Sequence, residues 1–376
     1  MTHTPSLFHL FAAKAPSVYD REIVTVKPNR KNRPAQDKIN DIVKKLSAKG
    51  GGTVILAAGV HFVSESIVLD DNIRLRGIIL NGQPVSWIVL VDDAAPFCGN
   101  TGLIRIKKIP PIKGEYKASN VTVEDLLVDG NKNNQRLDIH GEDKKYGLYS
   151  ESINLTVRRV IIRNCMGYGF DPHGMAAKTP SIGTTIEDCL SYGNVLDGFT
   201  LDNQFGLTFQ RNKAYGNDRH GINVCTGSSY CLLNDNITRA NKVSGITVQH
   251  NKQNISRKIK IVGNLIEENE GKGIYLRGVE EIDVERNNIR ANGAAGIQAS
   301  GTKQIRIEDN HLERNVRTVK SKKADVYVES YKGKIAKETK VINNIIVSDQ
   351  TNPITTLPEC DKIDTTSNQI TNEDQS

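Results

Sequence analysis

Apolar residues near the start of the chain recur at helical spacing. Between Asp37 and Lys49 the apolar positions are 39, 42, 43 and 46, and Gly50-Gly51-Gly52 follows directly. Residues spaced by three and four share one face of a helix, and glycine is a frequent helix terminator. The segment is therefore predicted to be an amphipathic helix, which we expect to cover the open end of a β-structure whose strand edges would otherwise be exposed.

Beyond this helix the apolar positions alternate with other residues instead of recurring every three or four. The alternation is seen at Val54 and Leu56, and it returns in later stretches such as Ile259-Lys260-Ile261 and Ile305-Arg306-Ile307. Such alternation is typical of strands with one buried face. The chain is therefore predicted to be all-β apart from the first helix.

An internal repeat dominates the second half of the chain. Its fullest form is a pair of asparagines, a glycine and an apolar residue, Asn212-x4-Asn217-x3-Gly221-Ile222, which recurs with glycines at positions 245, 273 and 296. From Gly198 onward, successive glycines lie 23, 24, 28 and 23 residues apart. A period near 24 that is built of short strands predicts a single-stranded right-handed parallel β-helix, in which each coil stacks on the next. We expect the asparagines to form a hydrogen-bonded ladder at the turns.

The composition at the two ends of the chain suggests where this solenoid begins and ends. Residues 1–34 hold four prolines and show no strong period, so we expect an extended N-terminal arm. Residues 35–350 form the predicted β-helix with its capping helix, and residues 351–376 are expected to be a polar C-terminal tail.

Each coil places two outward positions after its glycine. If that stretch is a strand, the second and fourth residues after the glycine face away from the core. Neighbouring strands lie about 4.8 Å apart, so these side chains would form one continuous polar strip, a bed for a linear polymer. In chain order the pairs are Asp171 with His173, Thr200 with Asp202, Asn223 with Cys225, Thr247 with Gln249, and Tyr275 with Arg277.

The turns beside this strip add further chemistry. They supply Tyr168, Asp197, Arg219 and His220. Outward strand positions are often merely solvated, but an acid, a base and a cation gathered over two or three coils indicate an active site. Cys225, although it belongs to the strip, is interpreted as a small packing residue.

The charge and the cysteine content of the chain indicate which classes of binding partner to expect. Lysine and arginine exceed aspartate and glutamate by 50 to 43, a surplus that favours acidic partners. The chain has no dense basic run and no apolar run of transmembrane length, so neither nucleic acid nor a membrane is expected as a partner. The six cysteines form no Cys-x-x-Cys pair and are interpreted as free thiols, with no zinc site predicted. Leu7–Ala13 makes a poor signal peptide, because no Lys or Arg precedes it and His9 interrupts it.

Three motifs around the strip resemble a known family. The motifs are Tyr168-Gly169-Phe170-Asp171-Pro172-His173, then Asp197-Gly198-Phe199 with Asp202, then Asn217-Asp218-Arg219-His220-Gly221. Together they resemble the catalytic module of bacterial mannuronan C5-epimerases, a family with related alginate lyases. Gly50–Val54 and Leu127–Asn131 resemble the same module in the same order, so the likeness runs from about residue 37 to beyond residue 300.

The resemblance implies a fold, an activity and a set of residues. The fold is a pectin-lyase-like β-helix, and the activity is conversion of β-D-mannuronate to α-L-guluronate in alginate, with polymannuronate cleavage by β-elimination as the alternative. The implied catalytic group is Tyr168, Asp171, His173 and Asp202, and Arg219 is implied to hold the substrate carboxylate. The other expected substrate-binding residues are Asn223, Gln249 and Arg277. His220 is expected either to bind substrate or to be a structural turn residue, and Lys144 and Lys145 either clamp the substrate or are merely solvated.

The chain departs from the family pattern in four respects, one of which is a longer segment from Gly174 to Gly183. Gly174 stands where the family usually has glutamate, and Arg277 stands where it has a lysine. The glycine-aspartate nonapeptide modules that bind calcium are absent from this sequence. The chemistry needs no cofactor, and a role for Ca²⁺ stays open. We expect a monomer that reaches an extracellular polysaccharide by a route without a cleaved signal, or after release from the cell.

Two further questions stay open at this point. His173 suits the base and Tyr168 the acid near neutral pH, although the opposite assignment is equally compatible with the sequence. A noncatalytic β-helical glycan-binding module would use the same strip without acid-base chemistry. A pectinase-like hydrolase would instead need carboxylates placed about a glycosidic oxygen with a water.

Overall fold

The repeat folds as an all-β right-handed parallel β-helix with three parallel sheets, as predicted. The computed structural model describes residues 22–95, 101–108, 117–136, 145–173, 179–250, 254–318 and 324–372. Strands are numbered in chain order, and each coil contributes to the sheets called A, B and C below. Within these ranges no helix is long and apolar enough to cross a membrane.

The predicted N-terminal helix is present as α1 (Gln36–Ala48). Its buried face consists of Gln36, Ile39, Val43 and Leu46, and the helix packs against the first coil. The apolar positions at helical spacing thus lie over the end of the core, where they replace a missing coil.

Sheet A has 15 strands and begins with the segment that precedes α1. Its strands are β1 (Ile23–Val26), β2 (Gly52–Leu56), β5 (Ile73–Arg76), β10 (Ala118–Glu124), β13 (Ser152–Arg158), β16 (Ser181–Ile182), β17 (Thr185–Glu187), β20 (Gln204–Phe205), β21 (Thr208–Gln210), β24 (Ser229–Asn234), β27 (Arg257–Val262), β30 (Glu280–Glu285), β33 (Lys303–Glu308), β36 (Lys337–Ile342) and β39 (Asp361–Asp364).

Sheet B has 12 strands. They are β3 (Gly59–Val63), β8 (Ser86–Leu90), β11 (Leu127–Asp129), β14 (Ile161–Arg163), β18 (Leu190–Tyr192), β22 (Lys213–Tyr215), β25 (Ile237–Arg239), β28 (Leu265–Glu267), β31 (Asn288–Arg290), β34 (His311–Glu313), β37 (Ile345–Ser348) and β40 (Gln369–Asn372). A short hairpin, β6 (Ile79–Leu80) with β7 (Gln83–Pro84), and a 3-10 turn at Lys132–Asn134 lie outside the three sheets.

Sheet C has 11 strands and carries the predicted strip. They are β4 (Ile67–Leu69), β9 (Thr101–Ile106), β12 (Lys145–Ser150), β15 (Phe170–Pro172), β19 (Phe199–Asp202), β23 (Ile222–Cys225), β26 (Ile246–Gln249), β29 (Ile274–Arg277), β32 (Ile297–Ser300), β35 (Val326–Glu329) and β38 (Ile354–Thr356).

The solenoid extends past both boundaries expected from the sequence. In the expected arm, β1 pairs in parallel with β2. In the expected tail, β38, β39 and β40 add one strand to each sheet, and Ile354 and Ile363 pack against the core. Parallel pairing with an ordered neighbouring strand satisfies the backbone hydrogen-bonding groups of these polar segments. They therefore form further turns of the β-helix despite their composition. Residues 1–21 and 373–376 lie outside the described residues.

The asparagines form two buried ladders, which confirms the role expected from the repeat. In the first ladder the side-chain Nδ2 of each asparagine donates to Oδ1 of the next at 2.9 to 3.0 Å, through Asn194, Asn217, Asn241, Asn269, Asn292 and Asn315. The second ladder runs at 2.9 to 3.2 Å through Asn212, Asn236, Asn264, Asn287, Asn310, Asn344 and Asn368. Each coil is thereby fixed in height and register on the next.

The cysteines behave as interpreted from the sequence. Cys165, Cys189, Cys225, Cys231 and Cys360 are free thiols, and the first, second and fourth of these are buried. The remaining cysteine, Cys98, lies outside the described residues.

Candidate active site

The outward residues of sheet C fall into register across successive coils. Thr200 pairs with Asn223, Asn223 with Thr247, and Thr247 with Tyr275. On the second row Asp202 pairs with Cys225, and Gln249 with Arg277. The strip predicted from the glycine spacing is therefore in register, but Thr200, Asn223 and Thr247 on its first row are buried. The second row, which includes Asp202, Gln249 and Arg277, is partly exposed.

Two carboxyl groups and an imidazole meet at the centre of this strip. His173 Nδ1 lies 3.1 Å from Asp202 Oδ2 and 3.8 Å from Asp171 Oδ1. Asp171 is almost fully buried, with 3% of its surface exposed. Neither His173 Nδ1 nor Asp171 Oδ1 makes a well-aligned hydrogen bond within the described part of the chain. These polar atoms are therefore held close together without fully satisfying one another.

The protonation states of this cluster follow from burial and from mutual charge. Burial raises the pKa of Asp171 to about 6, against the opposing effect of His173. For His173 burial lowers the pKa, but contacts with Asp171 and Asp202 outweigh burial and raise it to about 10. Burial also acts to raise the pKa of Asp202, but His173, Cys225 and Thr226 more than offset it, so the pKa lies below its ordinary value. At neutral pH the cluster thus holds an imidazolium beside an ionised Asp202.

The side chain of Asp202 is fixed by the following coil. Its Oδ1 accepts hydrogen bonds from Thr226 Oγ1 at 2.9 Å and from Cys225 Sγ. With Oδ2 turned to His173, both oxygens of the carboxylate have partners. Cys225 therefore supports Asp202, and burial together with this carboxylate raises the pKa of its thiol, as suits a packing residue rather than a nucleophile.

Tyr168 and Arg219 form a second unit beside the cluster. Arg219 Nη1 donates to the Tyr168 hydroxyl at 3.2 Å, and the guanidinium also lies 5.9 Å from the centre of the Tyr168 ring. Burial raises the pKa of Tyr168 to about 12, so the phenol is neutral at rest. The ring packs against Tyr146 with centroids 4.9 Å apart.

Asp197 holds the turn from which Arg219 and His220 emerge. This fully buried carboxylate accepts from the His220 backbone N–H at 3.0 Å, from Thr200 Oγ1 at 2.9 Å and from Asn223 Nδ2 at 3.0 Å. Arg219 Nε lies 3.3 Å from its Oδ1. Asp197 therefore orients the arginine without itself facing the strip.

His220 is largely enclosed by its neighbours. It is 8% exposed, its Nδ1 is 3.1 Å from Thr247 Oγ1, and burial lowers its pKa to about 4. The neutral imidazole thus supports the strip through its contact with Thr247. A direct contact between His220 and the substrate stays a prediction.

Asn223, Gln249 and Arg277 are linked in a chain of hydrogen bonds along the strip. Gln249 Nε2 donates to Asn223 Oδ1 at 2.9 Å, and Arg277 Nη2 donates to Gln249 Oε1. These three predicted groove residues therefore lie side by side on successive coils.

Lys145, one of the two predicted lysines, does not join this strip. Lys145 is 3% exposed, and its Nζ donates to the Ala94 carbonyl at 3.0 Å, because β12 carries it into the wall of the first coils. Its assignment to the substrate would require the side chain to leave this contact. Lys144 lies outside the described residues, as does Gly174.

The coils before Gly169 add residues that the motif pattern did not include. Tyr149 pairs with Asp171 in register and stacks on the His173 ring, with centroids 5.6 Å apart. Arg105 pairs with Tyr149 one coil earlier, and its buried Nε lacks a hydrogen-bond partner within the described residues. The signal for Tyr149 is present in the sequence, because Gly147 is followed by apolar Leu148 as in the later coils up to Gly296. These coils lack the asparagine pair that made the repeat conspicuous.

The central cluster brings three possible metal ligands together. The ligand atoms of Asp171, His173 and Asp202 lie within 4.8 Å of one another. Ca²⁺ takes six to eight oxygen ligands, whereas this group offers two carboxylates and a nitrogen. The imidazolium already places a positive charge between the carboxylates, so the cluster fits Ca²⁺ poorly.

The amino-acid sequence of the chain matches two family models and several curated proteins. The family model described as "Right handed beta helix region" matches residues 173–278, and the one described as "Periplasmic copper-binding protein (NosD)" matches residues 226–359. Mannuronan C5-epimerase AlgE1 of Azotobacter vinelandii is 32% identical over 64% of this chain and 17% of its own length. Alginate lyase 7 of the same organism is 33% identical over 51% of this chain and 22% of its own.

A solved structure extends the similarity to nearly the whole chain. The A-module of the Azotobacter vinelandii mannuronan C-5 epimerase AlgE4 superposes with a TM-score of 0.78 at 26% identity, covering 90% of this chain and 94% of that module. By contrast, the chain spans only 13% to 32% of the length of the curated AlgE epimerases it matches.

The fold and the strip define a right-handed parallel β-helix protein with an acid-base cluster on the outward face of one sheet. Within that class, the chain is similar to the A-modules of the AlgE mannuronan C5-epimerases and to a related alginate lyase. The resemblance predicted from its motifs is confirmed.

Proposed function

We propose that the chain is a mannuronan C5-epimerase that inverts β-D-mannuronate units of alginate to α-L-guluronate. The observation that carries the proposal is the pairing of the Asp171–His173–Asp202 cluster with the Tyr168–Arg219 unit on one polymer-sized strip. C5 chemistry needs a base, an acid and a means of neutralising the adjacent carboxylate, and these two units offer all three.

Neutralisation of the uronate carboxylate is assigned to Arg219 with help from Asp171. Arg219 uses Nε for Asp197 and Nη1 for Tyr168, which leaves Nη2 to face a substrate oxygen. Asp171, whose pKa is already raised to about 6 by burial, would bind a proton when another carboxylate arrives beside it. Its acid form would then donate a hydrogen bond to the developing enediolate.

Proton transfer is assigned to His173 and Tyr168. Either group must lose a proton before it can act as a base, and this costs less free energy for His173, with a pKa of about 10, than for Tyr168, with a pKa of about 12. We therefore assign His173 as the base and the neutral Tyr168 phenol as the acid on the opposite face. Asp202 Oδ2 lies 3.1 Å from Nδ1 of the ring, so Nε2 is the nitrogen that would receive the C5 proton.

β-Elimination through the same site is the alternative activity, and the similarity to Alginate lyase 7 supports it. If the C4–O4 glycosidic bond breaks before a proton returns to C5, the same enediolate gives a chain end with a C4–C5 double bond. The two outcomes differ in whether the acid delivers its proton to C5 or to the leaving oxygen.

The test is incubation with polymannuronate in heavy water, followed by proton NMR and ultraviolet absorbance. Guluronate signals with deuterium at C5 and no new absorbance are expected. Rising absorbance with chain shortening would identify a lyase, and no reaction with retained binding would identify a glycan-binding module. His173→Gln and Tyr168→Phe serve as inactive controls, and parallel reactions with Ca²⁺ or with a chelator would settle the calcium question.

A further inference from the structure

The far end of the strip holds an arginine between two tyrosines. The guanidinium carbon of Arg277 lies 5.9 Å from the centre of the Tyr275 ring and 5.7 Å from that of the Tyr331 ring. Its Nη2 also donates to Gln249. A guanidinium readily stacks on aromatic faces, and these three contacts restrict a side chain that otherwise has many rotamers.

Tyr331 reaches this position from a tight hairpin turn. Tyr331 and Lys334 exchange two backbone hydrogen bonds, at 2.9 and 3.0 Å. Lys332 and Gly333 between them have φ values of 47° and 77°, the pattern of a type I′ turn. Gly301 on the preceding coil lies against this turn, since a Cβ there would be 2.9 Å from the Tyr331 Cβ. The turn therefore fixes the backbone and Cβ from which the Tyr331 ring extends.

Two lysines stand near this arginine, and the next carboxylate in its row, that of Glu329, lies two coils further on and accepts hydrogen bonds from Gln298 and Ser300. Lys272 Nζ lies 4.5 Å from the centre of the Tyr275 ring, and Lys332 Nζ lies 5.4 Å from that of Tyr331. In the strand register Arg277 stands three coils beyond Asp202, which corresponds to about 14 Å at the spacing of neighbouring strands.

We propose that Tyr275, Arg277, Tyr331 and Lys332 form a remote subsite for the carboxylate of a uronate unit several units from the reacting one. Tyr331 is a positioning residue that preorders the guanidinium for this carboxylate, so the hairpin at residues 331–334 makes affinity depend on substrate length. The inference rests on the proposed polyuronate substrate. Preordering matters because fixing a free arginine on binding would cost conformational entropy.

The test is calorimetric titration with oligomannuronates from trimers to decamers. For Tyr331→Ala we expect affinity for the long oligomers to fall roughly three- to tenfold, the range of one cation–π contact. Affinity for oligomers too short to reach Arg277 should not change, and Tyr331→Phe should resemble the unmodified chain because it keeps the ring. Tyr230→Ala is a matched control, since Tyr230 also carries a cation, Lys258, but on sheet A.

Two results would overturn the subsite. One is unchanged affinity of Tyr331→Ala for long oligomers, and the other is equal weakening for short and long oligomers, which would mean that the hairpin acts through the fold. Arg277→Gln, which leaves the hairpin intact, should show the same length dependence and guards against misfolding of the first variant. If the unmodified chain binds no oligomannuronate at all, the proposed function fails as well, so the two failures are distinguishable.

Discussion

His173 Nδ1 lies 3.1 Å from Asp202 Oδ2 across two coils of sheet C. Asp202 is itself held by Thr226 and Cys225 from the next coil. A fixed carboxylate on one ring nitrogen sets the ring orientation and strengthens the other nitrogen as a base. The contact therefore connects the stacking of coils directly to the acid-base properties of the site.

The first prediction concerns the pH dependence of turnover. If His173 is the base, its neutral form is active, and kcat at saturating polymannuronate should rise with pH towards the raised His173 pKa of about 10. Asp202→Asn removes a carboxylate that raises this pKa, so the inflection should move to lower pH. A kcat that instead falls as pH approaches 10 would make His173 the acid.

A second prediction separates substrate binding from chemistry at Arg219. Arg219→Lys keeps a positive charge but loses the planar fork and the contact with the Tyr168 hydroxyl. We expect kcat/KM to fall by about 10²-fold or more, in the range for loss of one preorganised donor, with most of the loss in kcat. Arg239→Lys, on the outer face of sheet B, is the matched control and should leave both constants unchanged. A loss confined to KM would assign Arg219 to ground-state binding alone.

The third prediction is a pH-dependent stability that comes from His220. Burial lowers its pKa to about 4, so between its ordinary pKa of 6.5 and 4 the unfolded chain binds a proton that the folded chain does not. The contribution of neutral His220 is thus intact above pH 6.5 and is lost as pH falls towards 4, by about 3 kcal/mol in total. Urea unfolding across this range should show a shallower decline for His220→Gln, and parallel curves for the two proteins would contradict the assignment.

The fourth prediction tests the asparagine ladders. Asn241→Ala removes side-chain hydrogen bonds to Asn217 and Asn269 and leaves buried partners unsatisfied, which should reduce the free energy of unfolding by roughly 2 to 4 kcal/mol. Asn288→Ala replaces an exposed asparagine on β31 and should change it by less than about 0.5 kcal/mol. Equal effects of the two substitutions would show that the ladder adds nothing beyond strand pairing.

The strip and the ladders were predictable from sequence because the repeat itself fixes their geometry. Once Gly221, Gly245 and Gly273 define equivalent positions, the register of every outward side chain follows. Tyr149 and Arg105 were not predicted as site residues, because their coils lack the asparagines that mark the period. The burial of Lys145 was not predictable for a different reason, since it depends on how the first coils close around Ala94.

Protonation states were beyond the sequence for a physical reason. The pKa of His173 results from opposing effects of burial and two carboxylates, and its direction depends on distances of 3.1 and 3.8 Å. A shift of one coil would remove one carboxylate from the imidazole. The motif predicts which residues meet, and only the folded geometry decides which of them carries the proton.

Because Asn ladders and parallel pairing repeat in the same form from coil to coil, a coil can be gained or lost without disturbing the chemistry of its neighbours. An added coil between Gln249 and Arg277 would move the Tyr331 hairpin away from His173 by one strand spacing, about 4.8 Å. Groove length in this architecture therefore changes in whole steps through duplication or deletion of coils. Point substitutions alter what each coil binds but not how many coils line the groove.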